Sequence, residues 1–383
     1  MNSPINLRAF AIALAGVLLL LSGCGQQSVG TPIFHAEGKP KQLSDWNLLS
    51  VASGDLQLAD GVVAYDLNTA LFSDYAHKLR TVWLPDGTQA SYNETDTFDF
   101  PVGTIISKTF YYPTNASSGP AQVIKAVDTT AERLIGGFNL DEVKLIETRL
   151  LVHREEGWVA LPYVWNEDET EAVLKRVGDI KQLELVSGDD KTSFAYVVPN
   201  QNQCAGCHAT NATTRKVVPI GPKSRHLNKD YTYAHGNQNQ LAAWQELGIL
   251  GELPSPLLTK ANASWGDGNA SLNDRARSYL DINCSHCHNK VGPADTSGLL
   301  LEPADEVGPS LGVCKLPIAA GTGTGDRKFG IVPGKPGESI FTYRMESVLP
   351  SEMMPELGRS LSHDEGVSLI AEWIAKMEGR DCS

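Results

Sequence analysis

Two five-residue segments carry the chemistry of this chain, Cys204-Ala205-Gly206-Cys207-His208 and Cys284-Ser285-His286-Cys287-His288. Each reads C-x-x-C-H, the spacing of c-type haem attachment. Two thiols three positions apart can form thioethers to the two vinyl groups of one porphyrin. The imidazole beside the second thiol then falls under the iron as its proximal ligand. With 7 Cys and 9 His in 383 residues, chance gives on the order of 0.003 such matches per chain, so two copies point to two covalently bound haems. The competing chemistries are a redox dithiol and half of a zinc site. They need a thioredoxin-like βαβ setting or a further Cys/His pair nearby, and the sequence offers neither.

The elements that must position these segments begin with strands. From Trp46 to about Val198 the pattern is strands and turns. Lys144–His153, a turn at Glu155-Glu156-Gly157 and Trp158–Trp165 read as a hairpin. Thr104–Tyr112 reads as another strand, and Phe194, Tyr196 and Val198 alternate onto one face of a third. About 150 residues of this kind are expected to bury their own core as a β-sandwich. His77 and His153 are assigned to strands or loops rather than to ligation. Asn166-Glu167-Asp168-Glu169 is assigned to a polar turn, because its spacing does not follow a calcium loop.

Around the first motif the sequence is less regular. Pro199-Asn200-Gln201-Asn202-Gln203 does not read as helix, so Cys204 is expected to follow a strand and a turn. Downstream, Asn237 reads as the cap of a helix with Leu241, Trp244 and Leu247 on one face, ended by Gly248 and Gly251. No methionine lies between His208 and Met345, so the sixth ligand of the first iron falls to His226 ahead of His235. A ligand from elsewhere, such as Met345, and an open iron are the alternatives.

The second motif is framed by helices. Leu272–Ile282 places Leu272, Ala276, Tyr279 and Leu280 on one side of a helix that runs into Cys284. Ser362-His363-Asp364-Glu365 reads as a capping box. It leads into a helix with Val367, Ile370 and Ile374 on one face, Trp373 beside them and Gly379 as its stop. Set around C-x-x-C-H, these helices resemble those of small cytochrome c domains, in which two terminal helices cross and close the haem pocket. Pro350-Ser351-Glu352-Met353-Met354-Pro355-Glu356-Leu357-Gly358 resembles the Met-Pro loop of that family. The resemblance implies thioethers at Cys284 and Cys287, a proximal His288 and a distal Met354, with the adjacent Met353 as competitor. Val332-Pro333-Gly334 and a helix from Glu338 to Met345 belong to the same resemblance, which covers residues 271–383. The first motif is covered by its five residues alone. The whole chain resembles bacterial di-haem lipoproteins with a β-rich N-terminal part. Gly321-Thr322-Gly323-Thr324-Gly325 lacks the Gly-Lys-Ser/Thr of a phosphate loop and reads as a flexible insertion.

At the N-terminus, Arg8, an apolar run from Ala9 to Leu21 and then Ser22-Gly23-Cys24 read as an export signal. The run is short for a bilayer span and has no stop-transfer flank. Small residues ahead of a cysteine resemble the bacterial lipobox, which implies cleavage before Cys24 and lipid on its thiol. Gly rather than Asp at position 25 implies the outer membrane, with the protein facing the periplasm. An ordinary signal peptide with an incidental cysteine is the alternative. After Cys24 and the four haem thiols, Cys314 and Cys382 remain, and an exported chain favours a disulfide between them over two free thiols.

The expected organisation is therefore multidomain. Residues 1–23 form a signal peptide, 24–40 a tether and 41–199 a β-rich, sandwich-like domain. Mainly α-helical cytochrome c-type haem modules follow at 200–270 and 271–383. The formal net charge is −13, with 15 basic and 25 acidic groups before residue 200, 6 and 4 over residues 200–270, and 11 and 16 after. That balance excludes nucleic acid, which needs clustered Lys/Arg. In the mildly basic middle segment, Lys223, Arg225 and Lys229 are candidates to neutralise haem propionates. The acidic remainder predicts a redox protein partner with a basic docking patch. The function expected is a lipid-anchored di-haem carrier of single electrons. A peroxidase-like di-haem enzyme with an open first haem is the second reading. The 80 positions from Cys204 to Cys284 are fewer than such enzymes place between their motifs. A ligand-binding or sensing lipoprotein is the third.

Overall fold

The computed structural model describes residues 29–52, 54–126, 138–233, 236–255, 259–318, 320–378 and 382. The signal segment, Cys24, His235 and Gly379 lie outside the described residues.

The strands in chain order are β1 (Leu49–Ala52), β2 (Asp55–Leu58), β3 (Val63–Tyr65), β4 (His77–Trp83), β5 (Ile105–Pro113), β6 (Gln122–Ile124) and β7 (Phe138–Asn139). They continue with β8 (Val143–Arg154), β9 (Gly157–Trp165), β10 (Ala172–Leu174), β11 (Asp179–Ser187), β12 (Asp190–Val198), β13 (Asp230–Tyr233) and β14 (Gly236–Asn239). Six of them form an antiparallel sheet in the order β10-β9-β8-β5-β4-β3. The expected hairpin is β8–β9, closed at Arg154 opposite Gly157. Gly157 sits at φ +117°, open to glycine because it has no Cβ.

Period-2 alternation gives this sheet two buried faces. Leu161, Tyr163 and Trp165 of β9 pack with Leu49 and Leu56 of the small β1-β2-β7 sheet on one face. On the other, Val164 and Phe110 pack with Leu183, Leu185, Phe194 and Tyr196 of the β12-β11-β6 sheet. The far end of that second face, Val82 and Ile106, is covered by Leu227, Leu241, Trp244 and Leu250. Residues 227–250, expected in a haem module, thus complete the core of the large sheet. Residues 29–40, expected to be tether, lie against the same domain. Asn47 donates to the Val29 and Thr31 carbonyls, Arg154 to Gly38 and Tyr163 to Pro40.

The mainly α-helical modules expected after residue 200 are not what the chain builds. Among the described residues there are six α-helices: α1 (Gln201–His208), α2 (Ser224–Leu227), α3 (Gln240–Glu246), α4 (Leu272–Leu280), α5 (Ile340–Glu346) and α6 (Asp364–Ala375). The longest has 12 residues, and the architecture is β-rich. Among the described residues between Cys287 and Ser339 the helical segments are short 3-10 turns, at Asp295–Ser297, Pro309–Leu311, Gly321–Thr324 and Pro336–Glu338. Pro293, Pro303, Pro309, Pro317, Pro333 and Pro336 remove backbone donors through this stretch, and interspersed glycines favour turns.

Local differences follow from capping. The segment before Cys204 is helical, because Asn200 accepts from Gln203 N while the Gln203 side chain accepts from Asn200 N, each at 2.9 Å. The cap of α3 is Asn239 rather than Asn237, and Leu247 is exposed. Helix α6 starts after His363, with no capping box from Ser362. Glu365 instead accepts from Lys125 Nζ and from the Tyr75 hydroxyl, both at 2.8 Å.

Helices α4 and α6 share a core of Ala276, Tyr279, Leu280, Leu369, Ile370, Trp373 and Ile374. Gly366 permits their approach, since a Cβ there would overlap the Tyr279 ring. Cys314 and Cys382 are joined as a disulfide. No helix among the described residues is long and apolar enough to cross a membrane.

Candidate functional site

The cap at Asn200 places Cys204, Cys207 and His208 along α1. His208 Nδ1 donates to the Val218 carbonyl at 2.9 Å, which leaves the Nε2 lone pair free. Burial, with Lys108 nearby, lowers its pKa to about 3, so the ring is neutral. Burial raises the pKa of both thiols. A thiolate-activated dithiol would need the opposite shift.

Beneath α1 lies a row of cations. Arg80 of β4, Lys108 of β5 and Arg149 of β8 stand directly opposite one another in the ladder. They lie on the sheet face whose two ends are apolar. Like charges in register repel, and here compensation is partial. Arg149 holds Glu147 with two bonds of 2.8 and 2.5 Å. Arg80 Nη1 is 3.6 Å from Asp66 while its Nη2 is buried without a partner. Lys108 has no hydrogen-bond or ion-pair partner among the described residues. It rests 5.9 Å from the Phe110 ring centroid, and burial, with Arg80 and Arg149, depresses its pKa to about 7.

The second motif follows α4 through a wider turn at Asp281–Ser285. Asp281 is buried and accepts from Arg225 Nε (2.8 Å) and Nη2 (2.9 Å), His226 Nε2 (2.8 Å), Asn262 (2.8 Å) and Ser285 Oγ (3.0 Å). His288 Nδ1 is 3.2 Å from Ser297 Oγ, whose own proton goes to the Ala294 carbonyl at 2.7 Å. Ser297 must therefore accept, so His288 carries its proton on Nδ1 and presents a bare Nε2. Burial lowers its pKa to about 4, with a further push from Arg344.

His288 and Cys284 line a cavity of about 260 Å³, or about 1370 Å³ when all space out to its mouth is counted. Met354 lines the same cavity, as do Arg344 and Arg359. Met353 is buried and is not among the lining residues, which separates two adjacent thioethers that the sequence left open. Arg359 Nη2 holds the Met354 loop by donating to the carbonyls of Arg344, Ser347 and Met354 at 3.1, 2.8 and 3.0 Å. Its Nε is buried without a partner beside the cavity. His363, which the sequence placed in a cap, lines the cavity too, 3.0 Å from the Tyr279 hydroxyl and stacked on Phe72 at 4.4 Å.

The two motifs meet. Cys287 Sγ lies 3.8 Å from the Gly206 carbonyl. Leu357 of the Met354 loop packs so close to Gly206 that a Cβ there would overlap it. Among the described residues, no three His, Cys, Asp or Glu side chains are arranged to hold a metal ion between them. The four cysteines are free of disulfides, as thioether attachment to a porphyrin requires.

Other sequence candidates have different tasks. His226 Nε2 meets Asp281 at 2.8 Å, while its Nδ1 is buried without a partner. Lys223, Arg225 and Lys229 pair with Asp96, Asp281 and Asp66, as Arg149 and Arg80 of the sheet row pair with Glu147 and Asp66, so Lys108 is the cation of that row without an ion-pair partner among the described residues. His77 bonds the Ala126 carbonyl, and His153 bonds Phe100 and stacks on Trp158 at 4.5 Å. Sequence reasoning missed Arg80, Lys108 and Arg149. Their signal is charge at inward positions of otherwise apolar strands. Set against family models, curated proteins and solved structures, the chain matches none of them.

Proposed function

We propose that this chain is a di-haem electron-transfer protein that binds one c-type haem at Cys204, Cys207 and His208 and a second at Cys284, Cys287 and His288. The observation that carries the reading is the pair of imidazoles, each held through Nδ1 so that Nε2 is bare, on two C-x-x-C-H segments that touch. A backbone carbonyl or hydroxyl on the far ring nitrogen fixes tautomer and orientation, as a metal-ligating histidine needs. Bound haem would supply reversible one-electron chemistry at iron.

The chain's own residues fit that group. Met354 offers a soft thioether in the cavity that His288 lines, and the Arg359 clamp fixes the loop that carries it. Arg344 and Arg359 beside the second motif, and Arg80, Lys108 and Arg149 beneath the first, are placed to meet carboxylates at a dry site. Contact between the segments favours passage of electrons from one centre to the other within the chain. We place the mature chain at a membrane surface through lipid on Cys24, facing the periplasm, with a redox protein carrying a basic patch as its partner.

The test is paired substitution. In a host that matures c-type cytochromes, Cys204→Ala with Cys207→Ala and Cys284→Ala with Cys287→Ala should each lose one haem equivalent and keep the other. Unchanged haem content in either variant would refute the assignment of that motif.

A further inference from the structure

The loop that carries Met354 is held by two different parts of the chain. Its entering limb is held by α5 and the turn after it. Met354 N donates to the Arg344 carbonyl at 2.8 Å, and Met353 N to the Leu349 carbonyl at 2.9 Å. Its returning limb is held by the β domain. The backbone N–H groups of Ser360 and Leu361 both donate to Asp74 Oδ1 at 2.7 Å, and Ser360 Oγ donates to the Ala195 carbonyl of β12 at 2.6 Å. Leu361 packs against the cluster of Phe110, Tyr112, Phe194 and Tyr196. Arg359 ties the two limbs together. It donates from Nη1 to the Leu361 carbonyl and from Nη2 to the Met354 carbonyl, each at 3.0 Å.

The turn that presents Asp74 is strained. Asp74 and Tyr75 are consecutive non-glycine residues with positive φ, +51° and +63°. Aspartate tolerates that region, whereas a bulky tyrosine rarely enters it. Such strain persists only where the surroundings enforce it, and here the contacts with the second motif's part of the chain do so. Phe72 N donates to Asn283 Oδ1, beside Cys284, at 2.9 Å. The Phe72 ring stacks on His363 and lines the cavity that His288 and Met354 also line. The Tyr75 hydroxyl donates to Glu365 at 2.8 Å and accepts from Asp364 N at 3.1 Å. From the other side, the Tyr112 hydroxyl of β5 donates to the Asp74 carbonyl at 2.7 Å.

We propose that Asp74 is a positioning residue of the second centre: fixed on a strained turn of the β domain, it holds the returning limb of the Met354 loop so that the thioether stays at the iron bound by His288. The inference rests on the di-haem reading with Met354 as distal ligand. It gives the β domain a part in the second centre, whose distal loop is pinned by a residue 286 positions away from Ser360. Asp74 meets backbone N–H groups, so what the loop needs there is an acceptor oxygen rather than a charge.

The experiment uses the full mature protein carrying its haems, with visible and near-infrared spectra, a carbon monoxide titration and a redox titration. Wild type should show the near-infrared band of thioether ligation. Asp74→Ala and Asp74→Gly should each keep two haem equivalents and lose that band. Each should bind one equivalent of carbon monoxide more than wild type and lower the potential of the second haem. Glycine suits the left-handed backbone at position 74, so agreement of the two variants assigns the loss to the missing oxygen and not to strain. Asp74→Asn, whose amide oxygen can accept both N–H bonds, should keep the band. Leu183→Ala empties a buried site in the same β domain. It should lower the melting temperature and leave the band intact, which separates positioning from a general loss of stability. The proposal is overturned if Asp74→Gly keeps the band and binds no extra carbon monoxide, if Asp74→Asn loses the band as completely as Asp74→Gly, or if Leu183→Ala loses it too. A wild-type protein with two covalent haems and no thioether band would instead sink Met354 as ligand, and one without covalent haem would sink the di-haem reading itself.

Discussion

Asp281 is the joint on which the placement of the second motif depends. Its carboxylate ties Arg225 and His226, on the helix that packs into the β-domain core, to the turn leading into Cys284. Burial alone would raise its pKa. The hydrogen bonds from Arg225 and His226 outweigh that and hold it well below the usual carboxylate range. Asp281→Ala removes the anion and leaves a buried guanidinium without its partner, which costs about 3–5 kcal/mol. At about 2–4 °C per kcal/mol for a chain of this class, the melting temperature should fall by about 10 °C. A carboxylate with a depressed folded pKa contributes stability that is present above its unfolded pKa and lost only as pH falls through the folded one. The gap between wild type and Asp281→Ala should therefore stay constant from pH 7 to pH 8, where His226 is neutral. Circular dichroism melts across that range measure it. A loss below about 1 kcal/mol, or a gap that changes between pH 7 and 8, would refute the reasoning.

Three further outcomes follow from the geometry. Met354→Leu should abolish the near-infrared thioether band and lower the potential of the second haem. Met353→Leu, a volume-conserving change in a packed site, should leave both intact and cost less than about 1.5 kcal/mol in urea unfolding. Lys108→Met should lower the midpoint potential of the first haem, because a nearby cation disfavours the oxidised iron, while Lys108→Arg keeps it; a spectroelectrochemical titration reads both. Burial raises Asp74 to about 6 although Ser360 and Leu361 donate to it. A raised folded pKa gives stability that is complete below the unfolded value and lost as pH rises through about 6. Asp74→Asn should flatten that decline between pH 4 and 7 in denaturant unfolding, and an unchanged slope would count against it.

The strands were legible where alternation had one apolar set per face, as in β8–β9 and β12. The attachment residues were legible because a covalent chemistry fixes their spacing. Helical content after residue 200 was not. The two amphipathic helices were found as α4 and α6, but the fold extended from them rested on resemblance, and the proline-rich chain from Cys287 to Ser339 forms short 3-10 turns among its described residues before α5 begins. The cap Asn200–Gln203 was overlooked because polar residues in a row read as loop, although Asn and Gln three apart form a reciprocal cap. The cation row could not be read as a row, since Arg80, Lys108 and Arg149 come together only through strand register. The packing of residues 227–250 onto the large sheet is likewise a long-range choice, made by Trp244 and Leu241 against Val82 and Ile106.

The most direct test of the account is the amount of haem that stays with the mature chain after acid-acetone extraction, quantified as pyridine haemochrome per mole of protein. Two equivalents are expected, with each haem mapped by peptide mass to one C-x-x-C-H segment. A chain made alongside an active cytochrome maturation system that retains none, or holds haem only by extractable ligation, would contradict it.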